Sequence, residues 1–315
     1  MRIGIDIMGG DYTPQSSLKG CLNATSKLSD STILYLYGNR DAILNTEWKN
    51  DVLNYLEKGK FVLINCTENI EMQDNPSEAI KSKTDSPIVK GLKAHRDGEI
   101  DAFVSAGNTG AMLVGSVLIM GKVTGLSRPT IGALYPLQTG YSFICDVGAN
   151  MDCKPEHLRD FAVLGSIYMK THFNVDKPRI ALLNVGEEKG KGNQLAKDAY
   201  LLLEKTPGIH FIGNAEGRDI NKHFADVYIC DGFVGNILLK FGESFYDLFK
   251  KLTSEMGILK QFNFETYGGT PFLGINGNVI IGHGISNELA FENMLLKAQE
   301  LVSSQLVSKI KNYFA

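Results

Sequence analysis

Short turns rich in Gly and Asn follow one apolar, strand-like run after another along this chain, and that repetition constrains its fold more than any single motif. Five are Ser105-Ala106-Gly107-Asn108-Thr109-Gly110, Asp146-Val147-Gly148-Ala149-Asn150, Asn184-Val185-Gly186 continuing to Gly190-Lys191-Gly192-Asn193, Gly213-Asn214-Ala215-Glu216-Gly217-Arg218, and Asp231-Gly232-Phe233-Val234-Gly235-Asn236. A sixth, Met8-Gly9-Gly10-Asp11, closes the first run. The apolar runs lie at 3–7, 33–37, 61–64, 102–104, 179–183, 210–212 and 226–229. Most alternate with helix-like segments, which is the pattern of βαβ units and a mainly parallel sheet. Parallel strands end on one edge, where ligands settle against loops and helix N-termini. Glycine lets backbone approach a ligand closely, and free N–H groups there favour anions. The repetition therefore points to a single pocket for something phosphorylated or otherwise anionic.

The middle of the chain breaks the rhythm. Runs at 131–135 and 141–145 flank a turn at 136–140, which reads as an antiparallel hairpin, so the sheet is expected to be mixed. Thr13-Pro14 reads as a helix start, an N-cap followed by Pro at the first helical position. After Asn236, Leu238, Phe241, Phe245, Leu248, Leu252, Met256 and Leu259 recur at three- and four-residue steps. That seam fits either an amphipathic helix on its own sheet or a protruding helix that pairs with a second subunit. A final helix from Ser286 carries Leu295, Ala298, Val302, Leu306 and Ile310 on one face. No repeat or linker interrupts residues 1–315, so the reading is one continuous domain in which 237–266 form the protruding helical segment.

Composition excludes several classes. A formal charge of −3 offers no basic surface to nucleic acid. The 5 cysteines are scattered without a C-x-x-C pair, so neither a zinc site nor a disulfide framework is indicated, and a reducing cytoplasm fits. Asp6 interrupts the N-terminal apolar stretch, which reads as a strand and not a signal peptide. No stretch approaches the ~18 apolar residues of a membrane-spanning helix.

Two nucleotide motifs nearly occur and fail. Residues 186–191 begin like a P-loop, but the pattern would need Gly at 191 with Lys and Ser/Thr after it. Gly190-Lys191-Gly192-Asn193-Gln194-Leu195 has two glycines of a dinucleotide fingerprint and Leu195 in place of the third. Lys191, flanked by glycines ahead of a helix, reads either as a point charge among backbone donors or as a solvated loop lysine. Cys145 and Cys230 sit in apolar runs and read as core. His283, within Ile280-Ile281-Gly282-His283-Gly284, is open between a pocket group and a hydrogen-bonded loop residue. Asp6, Asp11, Asp146 and Asp231 lie at strand ends, where carboxylates commonly hold loops through backbone N–H groups.

Taken in order, these turns, with Ile5-Asp6-Ile7-Met8-Gly9-Gly10-Asp11 at the start and Tyr267-Gly268-Gly269 near the end, resemble the bacterial acyl-[acyl-carrier-protein]:phosphate acyltransferases, the PlsX family. The resemblance runs over essentially the whole chain, with Ile7 and Tyr12 as small departures. It implies a three-layer α/β fold with a mixed, mainly parallel sheet, akin to phosphotransacetylases and to isocitrate and isopropylmalate dehydrogenases, with a protruding helical hairpin. It also implies a homodimer and a reaction without bound cofactor or metal. In the reaction that the resemblance implies, inorganic phosphate attacks the thioester of acyl-[acyl-carrier protein], giving acyl phosphate for a downstream glycerol-3-phosphate acyltransferase in phospholipid synthesis. The implied location is the cytoplasm, with peripheral contact to the anionic inner face of the bacterial membrane. Met256, Ile258, Leu259, Phe262 and Phe264, with Lys250, Lys251 and Lys260 nearby, form the expected membrane tip.

Phosphate is already nucleophilic and a thioester already activated, so positioning and oxyanion stabilisation matter more than a catalytic triad. On that basis Lys191 and Asn236 are the first catalytic candidates. Gly9, Gly10, Asp11, Gly107, Asn108, Thr109, Gly110, Asn150, Asn193, Asn214, Arg218 and His283 are the candidate substrate and phosphate contacts. The nearest rival is a phosphotransacetylase acting on a short-chain acyl-coenzyme A. A metal- and NAD-dependent dehydrogenase and a non-catalytic scaffold for lipid-synthesis enzymes are further alternatives.

Overall fold

Each apolar run forms a strand in the computed structural model, which describes residues 1–249 and 257–315. In chain order the strands are β1 (Arg2–Asp6), β2 (Ile33–Gly38), β3 (Phe61–Asn65), β4 (Ala102–Ser105), β5 (Thr130–Leu137), β6 (Gly140–Cys145), β7 (Arg179–Leu183), β8 (His210–Ala215), β9 (Val227–Ile229), β10 (Gly269–Leu273) and β11 (Val279–Gly282). The chain divides into two compact units, Met1–Lys122 with Phe264–Gln305, and Val123–Asn263 with Leu306–Ala315.

In the first unit, β3, β2, β1, β4 and β11 run parallel in that order, and β10 lies antiparallel against β11. The inner strands β1, β4 and β11 are short, mostly apolar and buried, as parallel strands covered on both faces must be. Glycines let helices approach them. A Cβ on Gly91 of the helix Pro87–Arg96 would lie 2.0 Å from the Phe103 ring of β4. The helices Gln15–Thr25 and Glu288–Ser303 are equally close, since a Cβ on Gly20 would meet Phe291 Cβ at 2.4 Å.

In the second unit, β5 and β6 form the expected hairpin, with Leu137 opposite Gly140. From β6 the order continues β9, β7, β8, all parallel. Pro155–Phe173 packs Gly165 against Val227, whose Cγ1 would be 2.6 Å from an added Cβ. Within each unit the strands are thus mixed in direction and mostly parallel.

Three local expectations are corrected. Thr13 does not cap a helix: its hydroxyl donates to the carbonyls of Met8 and Gly10 at 2.9 and 2.8 Å, closing the turn after β1, and the helix begins at Gln15 behind Pro14. The final helix is two, Glu288–Ser303 and Leu306–Phe314, separated by Gln305 at a left-handed φ of 55°. The break also parts the two units. Residues 232–236 are not a turn before a helix but its first turn, because the helix spans Gly232–Phe249. Asp231 starts it, accepting from Val234 N at 2.8 Å through its side chain and from Gly235 N at 3.0 Å through its carbonyl.

Candidate active site

The six glycine turns fall two in the first unit and four in the second. Met8–Asp11 and Ser105–Gly110 follow the neighbouring strands β1 and β4, and His283 follows β11 beside them. Asp6 ties the first two turns together. Its carboxylate is buried, accepts from Ser105 Oγ at 2.8 Å and Met8 N at 3.0 Å, and Ser105 Oγ in turn accepts from Gly107 N at 3.0 Å. Burial pushes the Asp6 carboxyl up to about 6, against the opposing pull of the bonds from Ser105 and the backbone N–H groups of Met8 and Gly9. Gly9 has no room for a side chain, since an added Cβ would lie 2.4 Å from Asp6 Oδ2 and 2.8 Å from Gly107 N.

The candidate residues of this unit are drawn together, yet most of their polar atoms are engaged. Asn108 Oδ1 caps the helix Thr109–Gly115 by accepting from Ala111 N, and its Nδ2 donates to the carbonyls of Glu71, Met72 and Asp74. Asp11 N donates to Gly284 O at 2.7 Å, and the His283 ring lies 4.9 Å from that of Phe264. Thr109 and the Asp11 side chain are exposed, so they are the ones open to a ligand.

In the second unit the parallel order β6, β9, β7, β8 sets four turns on one edge. Here the fold encloses a cavity of about 710 Å³, within the range of roughly 300–1,000 Å³ usual for ligand sites. One wall is the end of β7 and the loop beyond it, Leu182 to Val185. A second is the start of the helix Gln194–Leu203, with Gly192, Asn193, Leu195 and Ala196. The helix Gly232–Phe249 supplies Val234, Ile237, Leu238 and Phe241, above Cys230, Asp231 and Leu158.

The loop carrying Lys191 is shaped by its own side chains. Asn184 Nδ2 donates to Lys191 O at 3.1 Å, and Lys191 N donates to Glu188 O at 3.0 Å. Gly192 takes φ 93°, and a Cβ there would strike Asn184 Oδ1 at 2.3 Å, so only glycine serves. The Lys191 stem lies over Gly186, its Cγ 3.0 Å from where a Cβ would be. Lys191 is exposed, and among the described residues no carboxylate pairs with its ammonium. Asn193 lines the cavity and caps the next helix, accepting from Ala196 N at 2.9 Å. Asn214 is buried and donates to Glu188 O at 2.9 Å, while its Oδ1 has no partner among the described residues. Arg218 turns outward and pairs with Glu216 at 2.7 Å.

Asn236 sits on the helix next to the cavity-lining Ile237, facing the turn after β6: its Oδ1 is 3.5 Å from where a Cβ on Gly148 would lie. Asp146 organises that turn. Fully buried, it accepts from Thr130 Oγ1, the N–H groups of Gly148 and Ala149, and Asn150 Nδ2 at 2.9, 2.6, 2.7 and 2.6 Å. Burial raises its carboxyl, and those donors pull the other way. Asn150 is buried with its amide held by Asp146 and Pro129 O, which makes it part of the scaffold.

The apolar lining was missed from sequence, where Leu238 and Phe241 counted only towards a helical seam. In the structure Phe233, Val234, Ile237 and Phe241 of this helix are all exposed, and a surface helix does not usually display so many. Among the described residues no group of three or more His, Cys, Asp or Glu is placed to hold a metal ion, and no helix is long and apolar enough to cross a membrane.

Residues 1–258 match the family described as fatty acid synthesis protein. The chain is 42% identical over 331 residues to the phosphate acyltransferase of Dictyoglomus thermophilum, covering 98% of this chain and 96% of that one. It is 40% identical over 331 residues to the phosphate acyltransferase of Halothermothrix orenii, covering 99% and 98%. Among solved structures, a branched-chain phosphotransacylase from Enterococcus faecalis superposes with a TM-score of 0.64 at 14% identity, covering 96% of this chain and 99% of that one. A 4-hydroxythreonine-4-phosphate dehydrogenase from Klebsiella pneumoniae gives 0.56 at 10%, covering 96% and 98%. These structural likenesses concern the fold, which is the phosphotransacetylase and dehydrogenase fold that the family resemblance implies.

Proposed function

The chain belongs to the fatty acid synthesis protein family, and from that premise we propose that it moves an acyl group from the thioester of acyl-[acyl-carrier protein] to inorganic phosphate. It is an acyltransferase, and its relatives at about 40% identity bear the name phosphate acyltransferase. The observation that carries the reading is Lys191, a cation with no carboxylate partner among the described residues, in a glycine-shaped loop beside a mostly apolar cavity. A phosphate oxygen attacks the thioester carbonyl carbon, the C–S bond breaks, and its electron pair leaves on the carrier sulfur. The proton of the hydrogen phosphate ends on that thiolate, so the products are acyl phosphate and free carrier. Lys191 and the N–H groups of its loop offset the phosphate charge or that of the developing oxyanion. Asp231 also lines the cavity, its carboxylate accepting from Val234 N. Acyl-phosphate formation from long-chain acyl carrier protein, compared with acetyl-coenzyme A, tests the reading. Turnover confined to acetyl-coenzyme A would replace it with the phosphotransacetylase alternative.

No cysteine enters this scheme. Burial drives the thiols of Cys145 and Cys230 well above their ordinary range and that of Cys153 up to about 12, the reverse of an activated nucleophile. Replacing each of the five cysteines in turn by Ser or Ala is expected to leave turnover within a few-fold of the parent. An acyl-cysteine trapped by mass spectrometry would overturn direct attack.

We read residues 1–315 as one acyltransferase, because the relatives match across both units. The product would feed a glycerol-3-phosphate acyltransferase. The far end of the helix Gly232–Phe249, away from the cavity, is proposed as the dimer contact, supported by the exposure of Leu248 and Phe249. The membrane tip is proposed more narrowly than the sequence implied. Phe262 is buried, its ring 5.1 Å from Tyr135 and 6.2 Å from Phe245; Phe264 is half-buried and lies against His283. Lys250, Lys251, Leu252 and Met256 lie outside the described residues. Leu248→Glu is expected to yield monomers by sedimentation and Leu259→Ser to weaken binding to anionic vesicles. An unchanged mass would remove this helix from the interface, and unchanged vesicle binding would remove Leu259 from the anchor.

A further inference from the structure

We infer that the cavity of the second unit is the acyl-chain site and sets the chain length this enzyme accepts. The inference rests on the acyl-transfer reading and adds to it where the chain goes. The cavity has the chemistry of an acyl thioester, polar at one part of its wall and apolar over the rest. Asn184, Gly192 and Asn193 lie on the loop that carries Lys191, where the reacting carbonyl belongs. Leu158, Leu182, Leu195, Ile237, Leu238 and Phe241 provide the apolar remainder. Leu158 and Leu182 are buried and form a floor, whereas Ile237 and Phe241 are 54% and 62% exposed and form a rim. A rim of that kind exposes apolar surface to water when empty and covers it when a chain lies across it. About 710 Å³ is also far more than an acetyl group needs.

Ala196 is the position from which this can be tested. It lines the cavity on the third residue of the helix Gln194–Leu203, and its N–H is bonded to Asn193 Oδ1. Leucine is a strong helix former, so Ala196→Leu keeps the helix while its added carbons occupy cavity volume. A methylene denied its place in an apolar pocket changes specificity by about tenfold or more. In Ala196→Leu, kcat/KM for sixteen-carbon acyl-[acyl-carrier protein] is expected to fall at least tenfold relative to the eight-carbon substrate, with the preference of the parent enzyme as reference. Independently, unmodified enzyme given acyl-[acyl-carrier protein] with a terminal diazirine on the chain is expected to crosslink, on illumination, at residues 182–185, 195–196 or 234–241.

The two experiments separate the inference from the reading beneath it. If the parent enzyme makes no acyl phosphate, the reading itself fails. Acyl phosphate made with an unaltered length profile in folded Ala196→Leu overturns the acyl-site assignment alone. If that variant does not fold, the crosslink decides, and a label elsewhere, or crosslinks showing a second copy of the chain across the rim, overturns the assignment equally.

Discussion

Lys191→Ala is expected to lower acyl-phosphate turnover by roughly 100-fold or more, the scale on which removal of one preorganised donor to a developing charge is felt. The structure makes this a clean substitution. Lys191 is exposed and makes no ion pair among the described residues, so the cost to stability should stay within about 0.5 kcal/mol. The loop should also keep its shape, because the bonds that form it use the Lys191 backbone: Asn184 Nδ2 to its carbonyl, and its N–H to Glu188. Lys191→Arg keeps the charge but replaces a compact ammonium with a planar fork over Gly186, and only partial recovery is expected. The measurement is kcat and KM for phosphate at fixed acyl-[acyl-carrier protein], with thermal unfolding as a control. A folded Lys191→Ala enzyme with near-parental turnover would remove this residue from the chemistry.

The strands were legible because parallel strands buried on both faces are short, continuous apolar runs, and 3–7, 102–104 and 179–183 are such runs. The glycine turns marked their ends for the same reason, since positions such as Gly192 and Gly148 have positive φ. β10 escaped, because Gly269 and Pro271 break the strand signal and its place in the sheet comes from pairing that sequence does not show, as with β11. The end of the chain misled through periodicity: Leu295, Ala298, Leu306 and Ile310 keep helical spacing across a break that Gln305 makes with one left-handed residue. At 231–236 the residues were read correctly as special and wrongly as a loop, because Gly232 and Gly235 look like turn glycines. They are helical glycines, required by contact: a Cβ on Gly235 would lie 1.8 Å from Asp146 O. Among the candidate contacts, Asn108 and Asn150 show a further limit. Their side chains bond scaffold backbone and Asp146, and no spacing distinguishes an amide that binds ligand from one that binds a loop. The cavity was beyond reach because Leu158, Leu182 and Ile237 are scattered in sequence and meet only through the sheet order.

Asp146→Ala is expected to be among the most destabilising single changes in the protein. The carboxylate is inaccessible to solvent and is the common acceptor for four donors: Thr130 Oγ1, Gly148 N, Ala149 N and Asn150 Nδ2. A buried donor left without a partner costs about 1–3 kcal/mol. Even if water enters to satisfy two of the four, the loss is several kcal/mol, against a total stability on the order of 5–15 kcal/mol. Burial of the charge works in the other direction, since the carboxyl is raised, but the donors are fixed by backbone and remain when the acceptor is removed. Asp146→Asn is the sharper probe. It keeps the shape and one acceptor oxygen but turns an amide N–H₂ towards two of the existing donors, so an intermediate loss is expected. The damage should spread to the helix Gly232–Phe249, because Gly235 packs on the Asp146 carbonyl, Asn150 O accepts from Gly232 N at 2.7 Å, and Cys230 Sγ donates to Asp146 O at 3.5 Å. Asn236 and Ile237 ride on that helix, so in any variant that still folds activity should fall with the denaturation midpoint. A fully soluble Asp146→Ala enzyme with parental midpoint and turnover would mean that this carboxylate neither supports the turn nor sets the helix above it.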